Sequence, residues 1–134
     1  MIFKIFLVEV FDLLARTIIL AAGGTGGHVF PAQALAESLL LRGWKVFLVT
    51  DKRGEDFATA FPENVQKLVL NITNPRGKGK FNFIGSIWSI IKNSFIIARF
   101  IVKIRPSVIV GFGGYPSAAS MMAAKIFRIS SAIH

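Results

Sequence analysis

Twice in 134 residues a short apolar run ends in glycine and gives way to helical periodicity. The first junction is TIILAAGGTGGHVFP, Thr17 to Pro31, and the second is SVIVGFGGYPS, Ser107 to Ser117. An apolar run bounded by glycine reads as a buried strand, and glycine supplies the backbone angles of a tight turn. Parallel strands need a crossover connection, usually a helix, and are buried on both faces. A chain of one-domain length carrying two such units is therefore expected to be α/β, with a Rossmann-like, mostly parallel sheet covered by helices.

The rest of the chain fits that frame. After the first turn, PAQALAESLLLRG places Ala32, Leu35, Ala36, Leu39 and Leu40 at helical spacing, with Gly43 as the stop. Lys45 to Thr50 is the next strand, which completes a βαβ unit. GEDFATAF, residues 54–61, reads as a short helix, and Val65 to Ile72 as a third strand. TNPRGKGK is a loop by its Pro, Gly and charge. FIGSIWSIIKNSFIIARFIVKI is the longest helix, closed by Pro106. PSAASMMAAKIFR is a further helix, and SSAIH begins another strand.

Both glycine turns follow a strand and open a helix, which in an open parallel sheet is the edge where ligands bind. Glycine lets the backbone approach a ligand closely, and the N–H groups at a helix start favour an anion. The turns are thus shaped to hold something negative, phosphate above all. Neither familiar phosphate loop fits. GGTGGHVF has no lysine after its last glycine, as a Walker loop requires, and reading G-x-G-x-x-G from Gly24 fails at the third glycine. Asp51 does follow the next strand, which keeps a nicotinamide-binding half open as an alternative. His28 stands in the first helical turn beside the glycines, where a neutral imidazole can accept a proton from a substrate hydroxyl.

Composition narrows the partners. The chain is 53% hydrophobic, holds 16 Lys and Arg against 7 Asp and Glu, and carries a net charge of +9. A basic surface suggests an anionic partner. Oiliness combined with basicity favours a membrane or a lipid phosphate, and no nucleic-acid-binding motif is present. With no cysteine and no metal-ligand cluster in the sequence, neither a disulfide framework nor a metal site is expected; no cofactor is expected either. MIFKIFLVEVFDLLAR is apolar but broken by Glu9 and Asp12, so it reads as an extension rather than a signal peptide. No transmembrane helix is expected.

ILAAGGTGGHVFPAQALAESLLLRGWKV together with VGFGGYPS resembles the two glycine-rich loops of the bacterial MurG family of peptidoglycan N-acetylglucosaminyltransferases. The resemblance implies the N-terminal half of a GT-B glycosyltransferase: residues 1–16 as an extension, and 17–134 as an acceptor-binding domain whose donor-binding domain lies outside this sequence. It implies transfer of N-acetylglucosamine from UDP-N-acetylglucosamine to undecaprenyl-diphospho-muramyl pentapeptide, at the cytoplasmic face of the bacterial inner membrane. Thr25, Gly26 and Gly27 match the loop that meets the donor, and His28 the histidine that assists the acceptor hydroxyl. Gly23, Gly24, Gly113, Gly114 and Tyr115 match the loops that hold the acceptor diphosphate. His134 matches the histidine opening a His-Glu-Gln-Asn segment and is a candidate cleft residue. The second loop departs from the family by continuing PSAAS where Ser-Gly-Pro or Ser-Ala-Pro is usual. The 134-residue chain by itself is expected to be inactive. The alternatives are the acceptor subunit of a split transferase that needs a donor-binding partner chain, and a non-catalytic module that binds a lipid diphosphate.

One stretch joins charge to aromatic residues. Arg76, Lys78 and Lys80 precede Phe81, Phe83, Ile84, Ile87, Trp88 and Ile91. At helical spacing Ile84, Ile87, Trp88, Ile91, Phe95, Ala98 and Val102 share a face, edged by Lys92, Arg99 and Lys103. Two readings stand: a core helix with a solvated basic edge, or a face that meets an anionic bilayer, where Trp suits the interfacial depth.

Overall fold

The computed structural model describes residues 16–72 and 80–134. In chain order the elements are β1 (Thr17–Ala22), α1 (Gly26–Leu41), β2 (Lys45–Asp51), α2 (Lys52–Glu55), a 3-10 turn (Phe57–Ala60), β3 (Gln66–Leu70), α3 (Lys80–Ile104), β4 (Val108–Gly113), α4 (Gly114–Phe127) and β5 (Ser130–Ile133). The strands form one sheet in the order β3-β2-β1-β4-β5, and all four pairings are parallel.

Alternation along β1 explains why the sheet is covered on both faces. Ile18, Leu20 and Ala22 pack with Val46 and Leu48 against Val29, Ala32 and Ala36 of α1 and against Ala58 and Phe61. Ile19 and Ala21 turn the other way and meet Val49, Ile109, Ile97 and Ile101 of α3, and Ala119, Ala123 and Ala124 of α4. From Ile18 to Ala22 no position is polar, the expected sequence of a central strand buried twice.

Several elements differ from the expected outlines: β3 is Gln66–Leu70 rather than Val65 to Ile72, α3 and α4 each begin a few residues earlier than expected, and two further differences have a physical reason. Helix α1 begins at Gly26, five residues before Pro31, which lies inside it. Proline has no N–H to donate, and at the sixth helical position Pro31 lies past the first turn, so the helix runs through it without the backbone bond that residue 31 would make to the Gly27 carbonyl. The segment 54–61 divides into α2 and the 3-10 turn. Gly54 belongs to the first of these because the Asp51 side chain caps it, accepting from the Gly54 N–H at 2.7 Å.

The strand order reverses between β1 and β4. From β1 the chain moves outward through β2 and β3, then crosses back by α3 to pair β4 with β1. The carboxyl ends of β1 and β4 thus stand side by side at the crevice where open α/β sheets bind ligands. Both glycine turns leave from these two ends.

Candidate functional site at the strand switch

The two turns touch at one carbonyl. A Cβ on Gly114 would lie 2.7 Å from the Gly23 carbonyl oxygen, and one on Gly23 would lie 2.6 Å from Cγ of Pro116. Gly114 has φ +80 and Gly113 φ +116, angles that side chains rarely adopt. Close approach and backbone angle therefore both demand glycine at the second turn. On the first turn Gly24 has φ +84 and open space where a Cβ would point.

His28 joins this contact from the first turn of α1. Its Nδ1 lies 2.9 Å from the Gly23 carbonyl oxygen. A carbonyl only accepts, so Nδ1 carries the proton and Nε2 of the neutral ring keeps its lone pair. The ring also lies against the second turn, since a Cβ on Gly113 would come within 2.7 Å of Nε2. One imidazole thus spans both glycine turns, with its basic nitrogen beside Gly113.

The helix starts are left open in polar terms. Thr25 occupies the N-cap of α1 in extended conformation and makes no side-chain cap bond. Gly113 stands at the N-cap of α4 and has no side chain to cap with. The first N–H groups of both helices therefore have no side-chain cap at the crevice, and such groups favour an anion. Gly27 has only the Thr25 hydroxyl near a potential Cβ, at 3.8 Å. At Gly26 a side chain would first meet the ring of Phe30, 2.7 Å away.

Asp51, which kept a nicotinamide-binding alternative open in the sequence, has a structural partner instead. Its carboxylate is buried, and Oδ1 accepts the N–H of Gly24 at 3.0 Å and the N–H of Gly54 at 2.7 Å. That oxygen pins the glycine turn to the end of β2, so Asp51, the acid that kept the nicotinamide alternative open, is engaged with the backbone. The spacing Asp-x-x-Gly ahead of a helix carried the signal of an N-cap. The bond to Gly24 spans 27 residues and left no local trace.

The remaining predicted residues separate. His134 donates its backbone N–H to the Gly111 carbonyl at 2.8 Å, and its ring stacks on Phe112 at 5.4 Å between centroids. Together with Pro31, Leu35 and Ile133 it lines a groove of about 560 Å³ between α1 and the β4–β5 edge. Tyr115 is half-buried in the first turn of α4. Arg76 and Lys78 lie outside the described residues, as do the first fifteen. Lys80, Phe81 and Phe83 fall in the first turn of α3, their side chains outside the description. Ile84, Ile87, Trp88 and Ile91 are all exposed, Trp88 at 69%.

Comparison with known proteins shows the family and the fold. Residues 18–134 match the glycosyltransferase family 28 N-terminal domain. Over 117 residues the chain is 41% identical to the UDP-N-acetylglucosamine–N-acetylmuramyl-(pentapeptide) pyrophosphoryl-undecaprenol N-acetylglucosamine transferase of Agrobacterium fabrum, covering 87% of this chain and 31% of that protein. The enzyme of the same description from Methylobacterium radiotolerans is 39% identical over 118 residues, 88% of this chain and 32% of that protein. The chain spans about a third of the length of the curated relatives it matches. Among solved structures, Acinetobacter baumannii MurG superposes with a TM-score of 0.74 at 27% identity, over 89% of this chain and 34% of that one. The calicheamicin glycosyltransferase CalG4 shares the fold alone, with a TM-score of 0.60 at 17% identity over 88% of this chain and 32% of that one.

Proposed function

The chain belongs to the glycosyltransferase family 28 N-terminal domain family, and from that premise we propose that it forms the acceptor-binding half of an inverting N-acetylglucosaminyltransferase of peptidoglycan synthesis. The donor is UDP-N-acetylglucosamine and the acceptor undecaprenyl-diphospho-muramyl pentapeptide. One observation carries the reading. A histidine whose Nδ1 is held by Gly23 offers Nε2 as a base where two uncapped helix starts converge.

In this reading the diphosphate of the lipid-linked acceptor sits over Gly23, Gly24, Gly113 and Gly114, beside Tyr115. Backbone N–H groups of α1 and α4 neutralise it without requiring lysine in the loop. The donor sugar nucleotide approaches Thr25, Gly26 and Gly27. Nε2 of His28 takes the proton of the muramyl hydroxyl as its oxygen attacks the anomeric carbon, and the bond to UDP breaks on the opposite face. Attack and departure on opposite faces invert the anomeric centre.

The acceptor stays in its membrane, so the chain must come to it. We propose that the outward face of α3 supplies that adhesion at the cytoplasmic face of the bacterial inner membrane. Ile84, Trp88, Ile91 and Phe95 are exposed there, and Lys92, Arg99 and Lys103 are exposed on the same helix. Apolar insertion combined with basic attraction is the pattern of a peripheral helix. Among the described residues no helix is long and apolar enough to cross a membrane.

The test is a titration of the 15N-labelled chain with a short-chain polyprenyl-diphospho-muramyl acceptor. Amide resonances of Gly23, Gly24, Gly113 and Gly114 are expected to move together and to saturate. Movement confined to the His134 groove, with those glycines still, contradicts the assignment.

A further inference from the structure

The peptide between Gly23 and Gly24 is bonded at both ends to side chains. Its N–H, on Gly24, donates to Oδ1 of Asp51 at 3.0 Å. Its carbonyl, on Gly23, accepts from Nδ1 of His28 at 2.9 Å. In a planar trans peptide these two groups point to opposite sides, so one amide plane lies between the carboxylate and the imidazole. We propose that Asp51 sets the tautomer of His28 through this peptide, as a positioning residue one amide removed from the ring. The proposal rests on the reading of His28 as the base and deepens it.

The physical basis is polarisation along a hydrogen-bonded chain. A carboxylate accepting from a peptide N–H makes a charge-assisted bond. It draws the amide toward its charge-separated resonance form and places more negative charge on the carbonyl oxygen. That oxygen becomes a stronger acceptor for Nδ1–H, and successive bonds in such a chain reinforce one another. The result at the ring is a proton held on Nδ1, which leaves the lone pair on Nε2. A directly bonded carboxylate has the same effect in an Asp–His pair; here the backbone carries it.

The surroundings show that the carboxylate is fixed for this work. Asp51 is buried at 8% exposure. The same Oδ1 also accepts the Gly54 N–H at 2.7 Å, which anchors it to the first turn of α2. Gly54 has to be small for this arrangement, because a Cβ there would lie 2.9 Å from the Cα of Gly23. Pro116 closes the other side, 2.6 Å from where a Gly23 Cβ would lie. The amide therefore cannot rotate without displacing α2 or α4, and the orientation of its dipole is built into the fold.

NMR on the intact 134-residue chain tests this without turnover. With 15N and 13C labelling, at a pH where the imidazole is neutral, His28 is expected to show one protonated nitrogen, Nδ1, and one bare nitrogen, Nε2. Couplings across hydrogen bonds are expected from Gly24 15N to Asp51 13Cγ and from His28 15Nδ1 to the Gly23 carbonyl carbon. Asp51→Asn keeps the shape and an acceptor oxygen but removes the charge. It is expected to lower the Nδ1–H to Nε2–H ratio by about two- to tenfold, and to move the Gly24 amide proton upfield. A folded Asp51→Asn chain with an unchanged tautomer ratio and an unmoved Gly24 amide overturns the proposal. If that variant does not fold, the wild-type spectra decide: a ring protonated on Nε2, or no coupling from Gly24 to Asp51, overturns it equally. These readouts report the ring and not the reaction, so they stand even if His28 proves not to be the base.

Discussion

At Gly113 a single methyl group has two separate consequences. The residue sits at φ +116 and ψ 171, a region that is essentially glycine's own and costs about 1–3 kcal/mol for other residues. The methyl would also lie 2.7 Å from Nε2 of His28. Gly113→Ala is therefore expected to lose about 1–3 kcal/mol in urea unfolding, and to displace the His28 ring resonances besides. Gly24→Ala shares the angle problem but meets open space, so it is expected to cost stability while leaving the ring where it was. Comparing the two separates strain from contact. Most of this site was legible at the residue level, because glycine clusters after strands and a histidine beside them leave local marks. Asp51 was not, because its partner Gly24 lies 27 residues away and is a backbone group that any residue type would offer.

The elements show where periodicity alone falls short. Helix α3 was recognisable as a helix with an apolar stripe, but the stripe could face the sheet or the solvent. The structure buries a different set, Asn93, Ser94, Ile97 and Ile101, and leaves Ile84, Trp88, Phe95 and Val102 exposed. The buried set is the less apolar of the two, so hydrophobicity alone could not tell which face packs on the sheet. What fixes the orientation is packing on α4, where Ser94 Oγ donates to the Ala119 carbonyl at 3.2 Å, together with Ile97 and Ile101 on the sheet. Two substitutions on one helix should then behave oppositely. Ile97→Ala is expected to cost about 2–5 kcal/mol in denaturant unfolding, as truncation in a close-packed core does. Trp88→Ala with Ile84→Ala is expected to stay within about 0.5 kcal/mol of the parent. That double variant is expected to lose the salt-resistant part of binding to anionic vesicles. Lys92→Glu with Arg99→Glu is expected to lose the part that salt screens within about 8 Å. Vesicle co-sedimentation across a salt series reads both. Unchanged binding in both double variants removes the outward face of α3 from the membrane account.

At the scale of the whole molecule, the sheet order decides what meets what. The order β3-β2-β1-β4-β5 brings the ends of β1 and β4 together, although their glycine turns are some ninety residues apart in sequence. Two strand–glycine–helix units were visible in the sequence, and right-handed crossovers restrict how they can be joined. That their turns share the Gly23 carbonyl depends on packing at Pro116 and Gly54, which no local pattern records. The central claim is that this fold presents the acceptor to His28, and a graft tests it most directly. Residues 17–134 would replace the matching segment of the Agrobacterium fabrum relative, to which the chain is 41% identical. Radiolabelled UDP-N-acetylglucosamine and the lipid-linked muramyl acceptor then report transfer. The account predicts lipid-linked disaccharide from the graft, and a kcat lowered about 10²- to 10⁴-fold by His28→Ala, the usual worth of a general base. A folded graft that binds UDP-N-acetylglucosamine yet forms no product, or a His28→Ala graft with unchanged kcat, would contradict it.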